Sequence, residues 1–295
     1  MTAGLRPSTW AEALALKTAH PDAVAINGGT DLMVEINFAR HRPPVLLDLT
    51  HVAELRHWEV LEAAEGGRPI VRLGAGVTYT AIVDDVAELA PGLAMAARTV
   101  GSPQIRNRGT IGGNLGTASP AGDAHPPLLA ARAVVEVERA TGRRLVPIDE
   151  FFTGPKRNVL APDELIRAVR IPVADGPQQF SKVGPRNAMV IATTSFALCV
   201  DRSGRRIGTG IGSAGPTPLR ATEAEAFAGE AMDGRWDAPG PLAPDVADRF
   251  GELVAAAASP IDDVRGEARY RRHALAVLAR RCLGWVWSSL DGAGR

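Results

Sequence analysis

Cysteine is almost missing from this chain: only Cys199 and Cys282 occur, and no CxxC spacing exists. A structural zinc or an iron–sulfur cluster needs about four thiolate or imidazole ligands, so neither is housed here on cysteine. The six histidines are scattered and form no HExxH. Two buried, unpaired thiols in a reducing compartment account for the cysteines. An excess charge is missing too. Lys+Arg and Asp+Glu both number 33, which argues against docking on nucleic acid, where a basic surplus displaces counterions. A neutral surface also fits a protein held among partners, since nothing keeps its copies apart. No uncharged apolar run of about 18 residues is present, so no membrane span is expected. Met1–Trp10 has no apolar core of a secretory signal, so the expected address is the cytoplasm.

The 295 residues, 45% apolar and 22% charged, suit a globular protein of two domains. Ser8 or Thr9 is placed to cap a helix in which Trp10, Leu14 and Lys17 share a face. A strand at Ala23–Ile26, a glycine turn, a helix over Asp31–Ala39 and a strand at Val45–Leu49 complete a small α/β lobe. Ile70–Leu73 reads as a strand running into Gly74-Ala-Gly76, with Thr78 capping the next helix. Gly92–Val100 reads as a helix. Gly101–Asp123 is rich in Gly, Asn, Ser and Pro and has few large apolar residues. Val134–Arg139 and a partner strand through Leu145-Val146 flank the turn Thr141-Gly142, and Leu165–Ile171 is a further strand. Val173–Pro177 has linker composition, which sets the domain boundary there. Beyond it, Met189–Val200 and Arg206–Ile211 read as strands. Glu223–Glu230, Pro244–Ala258 and Gly266–Leu283 read as helices, giving an α+β second domain.

Two double-glycine turns carry the chemistry: Ile26-Asn27-Gly28-Gly29-Thr30-Asp31 and Gly109-Thr110-Ile111-Gly112-Gly113-Asn114. Glycine reaches positive φ and lets another group approach the backbone. Successive N–H groups in such a turn form a concave nest for an anion, reinforced if a helix starts there. One such turn is ordinary structure, whereas two similar ones suit the two anionic groups of a pyrophosphate. There is no GxxxxGK[ST], and Gly74-Ala-Gly76 lacks the third glycine of GxGxxG. The residues alone therefore specify an anion cradle that is neither a P-loop nor a Rossmann turn.

The order of motifs is more specific: GGTDL at 28–32, LGAGVTYT at 73–80, GSPQIRNRGTIGGNLGTASPAGD at 101–123, KVGPRNAMVIA at 182–192, GPTPLRA at 215–221 and PIDDVRGEARYRR at 260–272. Covering nearly the whole chain, this series resembles the FAD-binding medium subunits of the molybdenum hydroxylase family, of the xanthine dehydrogenase and carbon monoxide dehydrogenase type. The resemblance implies an α+β protein: a two-lobed FAD-binding domain of the vanillyl-alcohol-oxidase (PCMH) type over 1–173, with lobes of about 1–54 and 55–173, and a smaller C-terminal α+β domain over 178–295. It implies that Ala25, Ile26, Asn27, Gly28, Gly29, Thr30, Asp31 and Leu32, with Thr110, Ile111, Gly112, Gly113 and Asn114, cradle the FAD pyrophosphate. Asp123 would face the adenosine half, at a ribose hydroxyl, and Lys182 would reach the flavin from the second domain. Val100 and Ile166 would pack near the cofactor. On residue type alone, Asp123 equally suits a helix N-cap, Lys182 a solvated strand end, and Val100 and Ile166 the core. Arg106 and Arg108 suit phosphate balance, solvent or a partner. Ile191 stands where some relatives carry an aromatic residue over the isoalloxazine, and Asn27 where many carry alanine.

The function so implied is electron transfer. A molybdopterin-binding large subunit would oxidise the substrate, an iron–sulfur (2Fe-2S) small subunit would relay electrons, and FAD on this chain would pass them to NAD or another acceptor. No proton-transfer catalyst is assigned to this chain. Two other readings stay open at this level: a self-sufficient FAD-dependent oxidoreductase acting on a small substrate, and a nucleotide-binding scaffold without activity.

Overall fold

The computed structural model describes residues 3–40, 42–62, 67–236 and 239–292. Its first lobe is a three-stranded parallel sheet in which Val45–Asp48 lies between Ala3–Leu5 and Val24–Ile26. Parallel strands need crossovers: helix Trp10–Ala19 joins the two outer strands, and the stretch holding Leu32–Asn37 joins Val24–Ile26 to its neighbour Val45–Asp48. Thr9 is the N-cap of Trp10–Ala19, accepting from the Glu12 N–H, while the Glu12 carboxylate accepts from the Ser8 N–H at 2.8 Å. Trp10, Ala13, Leu14 and Lys17 form its buried face. The Lys17 ammonium ends in the carbonyls of Pro21 (3.0 Å) and Ala23 (2.6 Å), tying the helix to the strand that follows. The helix expected over Asp31–Ala39 is shorter, Leu32–Asn37, and buries none of its residues.

The second lobe is a five-stranded antiparallel sheet in the order Trp58–Leu61, Ile70–Gly74, Leu165–Pro172, Val134–Arg139, Gly142–Pro147. The expected strands are present; the edge strand Trp58–Leu61 was not anticipated. The Gly101–Asp123 stretch, poor in large apolar residues, holds two short helices, Pro103–Arg108 and Ile111–Thr117, with His125–Ala130 directly after it. Each is under two turns long, too short to print a period, and in Ile111–Thr117 the glycines disfavour helix on their own. Ser102 and Thr110 cap the first two through their hydroxyls.

The C-terminal part is a three-stranded antiparallel sheet, Gln178–Val183, Thr194–Asp201 and Arg206–Gly212, covered by helices Thr222–Ala231, Pro244–Ala257 and Ala268–Gly292. The strand expected from Met189 starts only at Thr194. Arg186 and Lys182 draw the carbonyls of Met189 and Val190 out of the ladder, and Met189 sits at φ 50°. Thr194–Asp201 is buried at every residue, so both faces of the sheet are covered. Helix His125–Ala130 lies on its far face against glycines: a Cβ on Gly208 would stand 2.0 Å from the Ala130 carbonyl oxygen, and one on Gly210 1.9 Å from that of Pro126. Two large apolar cores result, one drawing on residues up to Val173 and one beginning at Phe196. The segment between is pinned by Val173 N–H to Pro69 O and Ala174 N–H to Leu89 O, both at 2.9 Å.

Glu136 ties the second lobe's sheet together. Its side chain is fully buried and accepts from Arg72 (2.9–3.1 Å) and Arg170, with Arg143 at 3.6 Å. Burial works to raise its pKa, but the hydrogen bonds and charges of Arg72 and Arg170 outweigh it, and the carboxyl titrates below its ordinary value. A depressed pKa contributes stability above the unfolded value that is lost as pH falls through the folded one. Glu136→Ala removes the buried carboxylate that the partly buried Arg72 and Arg170 share, leaving Arg72 only Glu59, and is expected to cost about 1–3 kcal/mol at neutral pH. Urea midpoints at pH 7 and 3.5 check this, with the gap between variant and parent narrowing at the lower pH.

Candidate functional site

Strand Val24–Ile26 runs straight into Asn27-Gly28-Gly29-Thr30. A Cβ on Gly28 would stand 1.9 Å from the carbonyl oxygen of Arg108 and 3.1 Å from the Cα of Gly109. The two glycine turns, remote in sequence, therefore touch backbone to backbone. Gly29 holds φ +75°, which only a residue without a Cβ takes at little cost. The N–H groups of Gly28, Gly29, Thr30, Asp31 and Leu32 have no acceptor among the described residues. Consecutive free donors around a turn form the nest anticipated for an anion.

The second turn is built differently, which corrects the expectation of two equivalent donor nests. Its helix, Ile111–Thr117, has its first N–H groups engaged within the protein: Ile111 to Val77 O (3.0 Å), Gly112 to Ala75 O (2.9 Å), Gly113 to Thr110 Oγ1 (3.1 Å) and Asn114 to Thr110 O (3.0 Å). Gly112 lies flat on the Gly74-Ala-Gly76 turn, where a Cβ would stand 2.5 Å from that of Ala75. Ile111 is wholly buried. Thr110, Gly113 and Asn114 remain at the surface of the site.

Two cavities open from the first turn. One, of about 350 Å³, is bounded by both turns, Tyr79, Val100, Asp123 and Met189–Ile191. The other, of about 540 Å³, runs between the lobes and is bounded by Gly112, Gly113, Leu165 and Ile166. Ala25, Ile26, Asn27, Asp31 and Leu32 wall both. Back-to-back cavities on one anion nest suit a molecule with two bulky ends joined by an anionic link. Val100 and Ile166, predicted together, face different cavities.

Three buried polar atoms at the smaller cavity lack a partner: Tyr79 Oη, Asn114 Oδ1 and Asp123 Oδ1. Buried polar atoms without a partner cost about 1–3 kcal/mol each, so their convergence marks a place that a polar ligand satisfies. Burial raises the Tyr79 phenol well above its usual value, with Asp123 and Asp31 adding to the shift, so it stays a donor. Asp123 Oδ2 is held by Lys182 at 2.6 Å, and Lys182 also donates to Thr99 O (3.0 Å) and Val190 O (3.1 Å). All three ammonium hydrogens are engaged, and Lys182 faces a different cavity. Asp123 and Lys182, expected at opposite halves of a dinucleotide, form one ion pair. Burial pushes the Asp123 carboxyl up, and the Lys182 charge offsets that only in part. Asp123 is not a helix cap, since Ala124 takes that place without a side-chain bond. Arg106 donates to the carbonyls of Val100 (3.1 Å) and Gly101 (3.0 Å), ordering the loop.

Tyr79 and His125 escaped the sequence reading. Tyr79 follows the Gly74–Gly76 turn and is one of two tyrosines. His125 sits beneath the second turn, with Nε2 at 3.3 Å from Asn114 O, its ring against Phe152 and a glycine, Gly122, making room for it. Burial lowers its pKa from 6.5 to about 4, so it is neutral. Among the described residues no group of His, Cys, Asp and Glu is arranged to hold a metal ion. Cys199 and Cys282 are both free and buried.

Gly28→Ala is expected to push the turns apart and weaken FAD binding at least tenfold, with little change in circular dichroism; flavin fluorescence titration checks it. For His125, the unfolded chain takes up its proton first, so stability falls by about 1.4 kcal/mol per pH unit from pH 6.5 towards 4. His125→Asn should flatten that segment of a stability–pH curve measured by urea unfolding.

Comparison with known proteins agrees with this geometry. The family model described as the FAD binding domain in molybdopterin dehydrogenase matches residues 2–174, and that of the CO dehydrogenase flavoprotein C-terminal domain matches 179–286. The xanthine dehydrogenase FAD-binding subunit of Escherichia coli O157:H7 is 30% identical, over 97% of this chain and 96% of its own. The carbon monoxide dehydrogenase medium chain of Hydrogenophaga pseudoflava is 30% identical over 90% of each. A solved carbon monoxide dehydrogenase from Hydrogenophaga pseudoflava superposes with a TM-score of 0.85 at 28% identity, covering 98% of both chains. With two glycine turns in contact, a free donor nest and both domains matched, the chain belongs to the FAD-binding medium subunits of the xanthine dehydrogenase and carbon monoxide dehydrogenase type of molybdenum hydroxylases.

Proposed function

We propose that this subunit takes electrons from a 2Fe-2S small subunit, itself supplied by a molybdopterin-binding large subunit, and delivers them to NAD or another acceptor in a cytoplasmic assembly. The observation that carries the cofactor's place in it is the run of free N–H groups from Gly28 to Leu32, walled by cavities on both sides. The matching relatives include the medium chains of carbon monoxide dehydrogenases and a nicotine 6-hydroxylase medium subunit, names that imply companion chains. Among the described residues no helix is long and apolar enough to cross a membrane.

The backbone of Gly28–Leu32 would hold the FAD diphosphate, with Ala25–Asn27 forming the floor that both halves share. Thr110, Gly113 and Asn114 would close the second side, with Ile111 and Gly112 locking that turn from behind. Tyr79 would donate, and Asn114 and Asp123 accept, at the end beside the second domain; Val100 and Ile166 would give the two ends an apolar wall. FAD supplies the exchange between one-electron and two-electron transfer. The chain's own part is to fix the two ends and exclude water: Lys182 immobilises Asp123, and Met189–Ile191 cover the cleft. We place the domain boundary at the pinned segment 174–177.

Reconstituting the purified chain with FAD is expected to give a yellow protein absorbing near about 450 nm, with flavin reduced by NADH and no oxidation of a hydroxylase substrate until both partners are added. Substrate turnover by this chain alone would overturn the subunit reading in favour of a self-sufficient oxidoreductase.

A further inference from the structure

A third cavity, of about 840 Å³, lies between the domains beside the smaller cofactor cleft. Arg98, Ser102 and Arg106 line it from the first domain, Arg186 and Asn187 from the second, and no Asp or Glu lines it. Lys182 also borders it, but Asp123 neutralises that ammonium at 2.6 Å. Three arginines therefore line one space in a chain whose net charge is zero. Arg106 engages Nη1 with the carbonyls of Val100 and Gly101, and Arg186 binds the Met189 carbonyl. Arg98 has no hydrogen-bond or ion-pair partner among the described residues. Each guanidinium carries five donors, so most of them are open to a ligand.

We propose that this cavity binds a small phosphate-bearing anion of nucleotide size. Its volume falls in the usual range of small-molecule sites, about 300–1,000 Å³. Guanidinium is the group whose planar fork matches phosphate oxygens in pairs, and a di- or trivalent anion balances three such charges. Cations crowded into a concave wall also focus their field on it. The site has a consequence for the neighbouring cleft. Residues 184–193 form one loop, of which Arg186 and Asn187 face the anion cavity while Met189, Val190 and Ile191 face the cofactor cleft. An anion bridging Arg98 and Arg186 ties that loop to the first domain and slows departure of FAD.

The test is calorimetric titration of the FAD-saturated chain at low ionic strength with ATP and, separately, inorganic pyrophosphate. Both are expected to bind, more weakly as salt is raised, because Arg98 and Arg186 are open to solvent. Tighter binding of ATP assigns part of the site to the base and sugar; equal binding assigns it to phosphate alone. Arg98→Gln breaks no contact within the protein, so it should leave FAD content and melting temperature unchanged while weakening both probes about tenfold. The rate of FAD release should fall on adding pyrophosphate to the parent and not to R98Q. If neither probe binds at millimolar concentration, or if R98Q binds both as the parent does, the proposal fails. A chain that does not load FAD would count against the cofactor reading instead, and the difference between parent and R98Q still decides this one.

Discussion

The site depends on one close approach of two backbones. Gly28 meets the Arg108 carbonyl at a distance that no Cβ could share, and Gly112 meets Ala75 in the same way. Four chain segments, 26–31, 74–79, 108–114 and 116–123, are thereby drawn around one groove. The contact also divides the labour between the turns. The second turn has its N–H groups engaged in packing, which makes it rigid; the first rests on that support and keeps its donors free. A nest with free donors is useful for an anion only if something else holds its shape, and here the engaged turn does so.

The two domains are held together beside that groove by complementary devices. Gly208 and Gly210 remove side chains from a buried strand so that helix His125–Ala130 can lie directly on it. This contact supplies apolar burial without direction. The pair Lys182–Asp123 supplies direction: it crosses the domain boundary and fixes one carboxylate oxygen while the other faces the cleft. A buried pair of this kind adds little net stability, since desolvation consumes most of its attraction. Its value is positional. The same helix places the neutral His125 beneath Asn114, so domain docking and the shape of the second turn share one element.

Much of the fold was legible because long elements print their period. Helix Pro244–Ala257 and the strands Ile70–Gly74, Val134–Arg139 and Leu165–Pro172 fell where the pattern of apolar residues put them. The helices at 103–108 and 111–117 were hidden, because six or seven residues are too few to show a period, the second also carries three glycines, and the stability of both comes from caps and packing. The strand predicted from Met189 began late because two side chains, Arg186 and Lys182, compete for its carbonyls, which no local pattern reveals.

The sequence by itself determined the kind of site: a double-glycine turn can accept an anion, the near-absence of cysteine leaves no cysteine-held cluster on this chain, and the motif order pointed to FAD. The first two rest on properties that glycine and cysteine carry with them anywhere, and FAD rests on the resemblance of the motif series to a known family. Only the tertiary structure decided which turn keeps its donors, that Asp123 and Lys182 form one pair beside the groove, that Tyr79 lines it and that His125 sits beneath its second turn. Each of these depends on which groups meet across the fold, and a hydrogen bond or ion pair between remote residues leaves no mark on the residues between them.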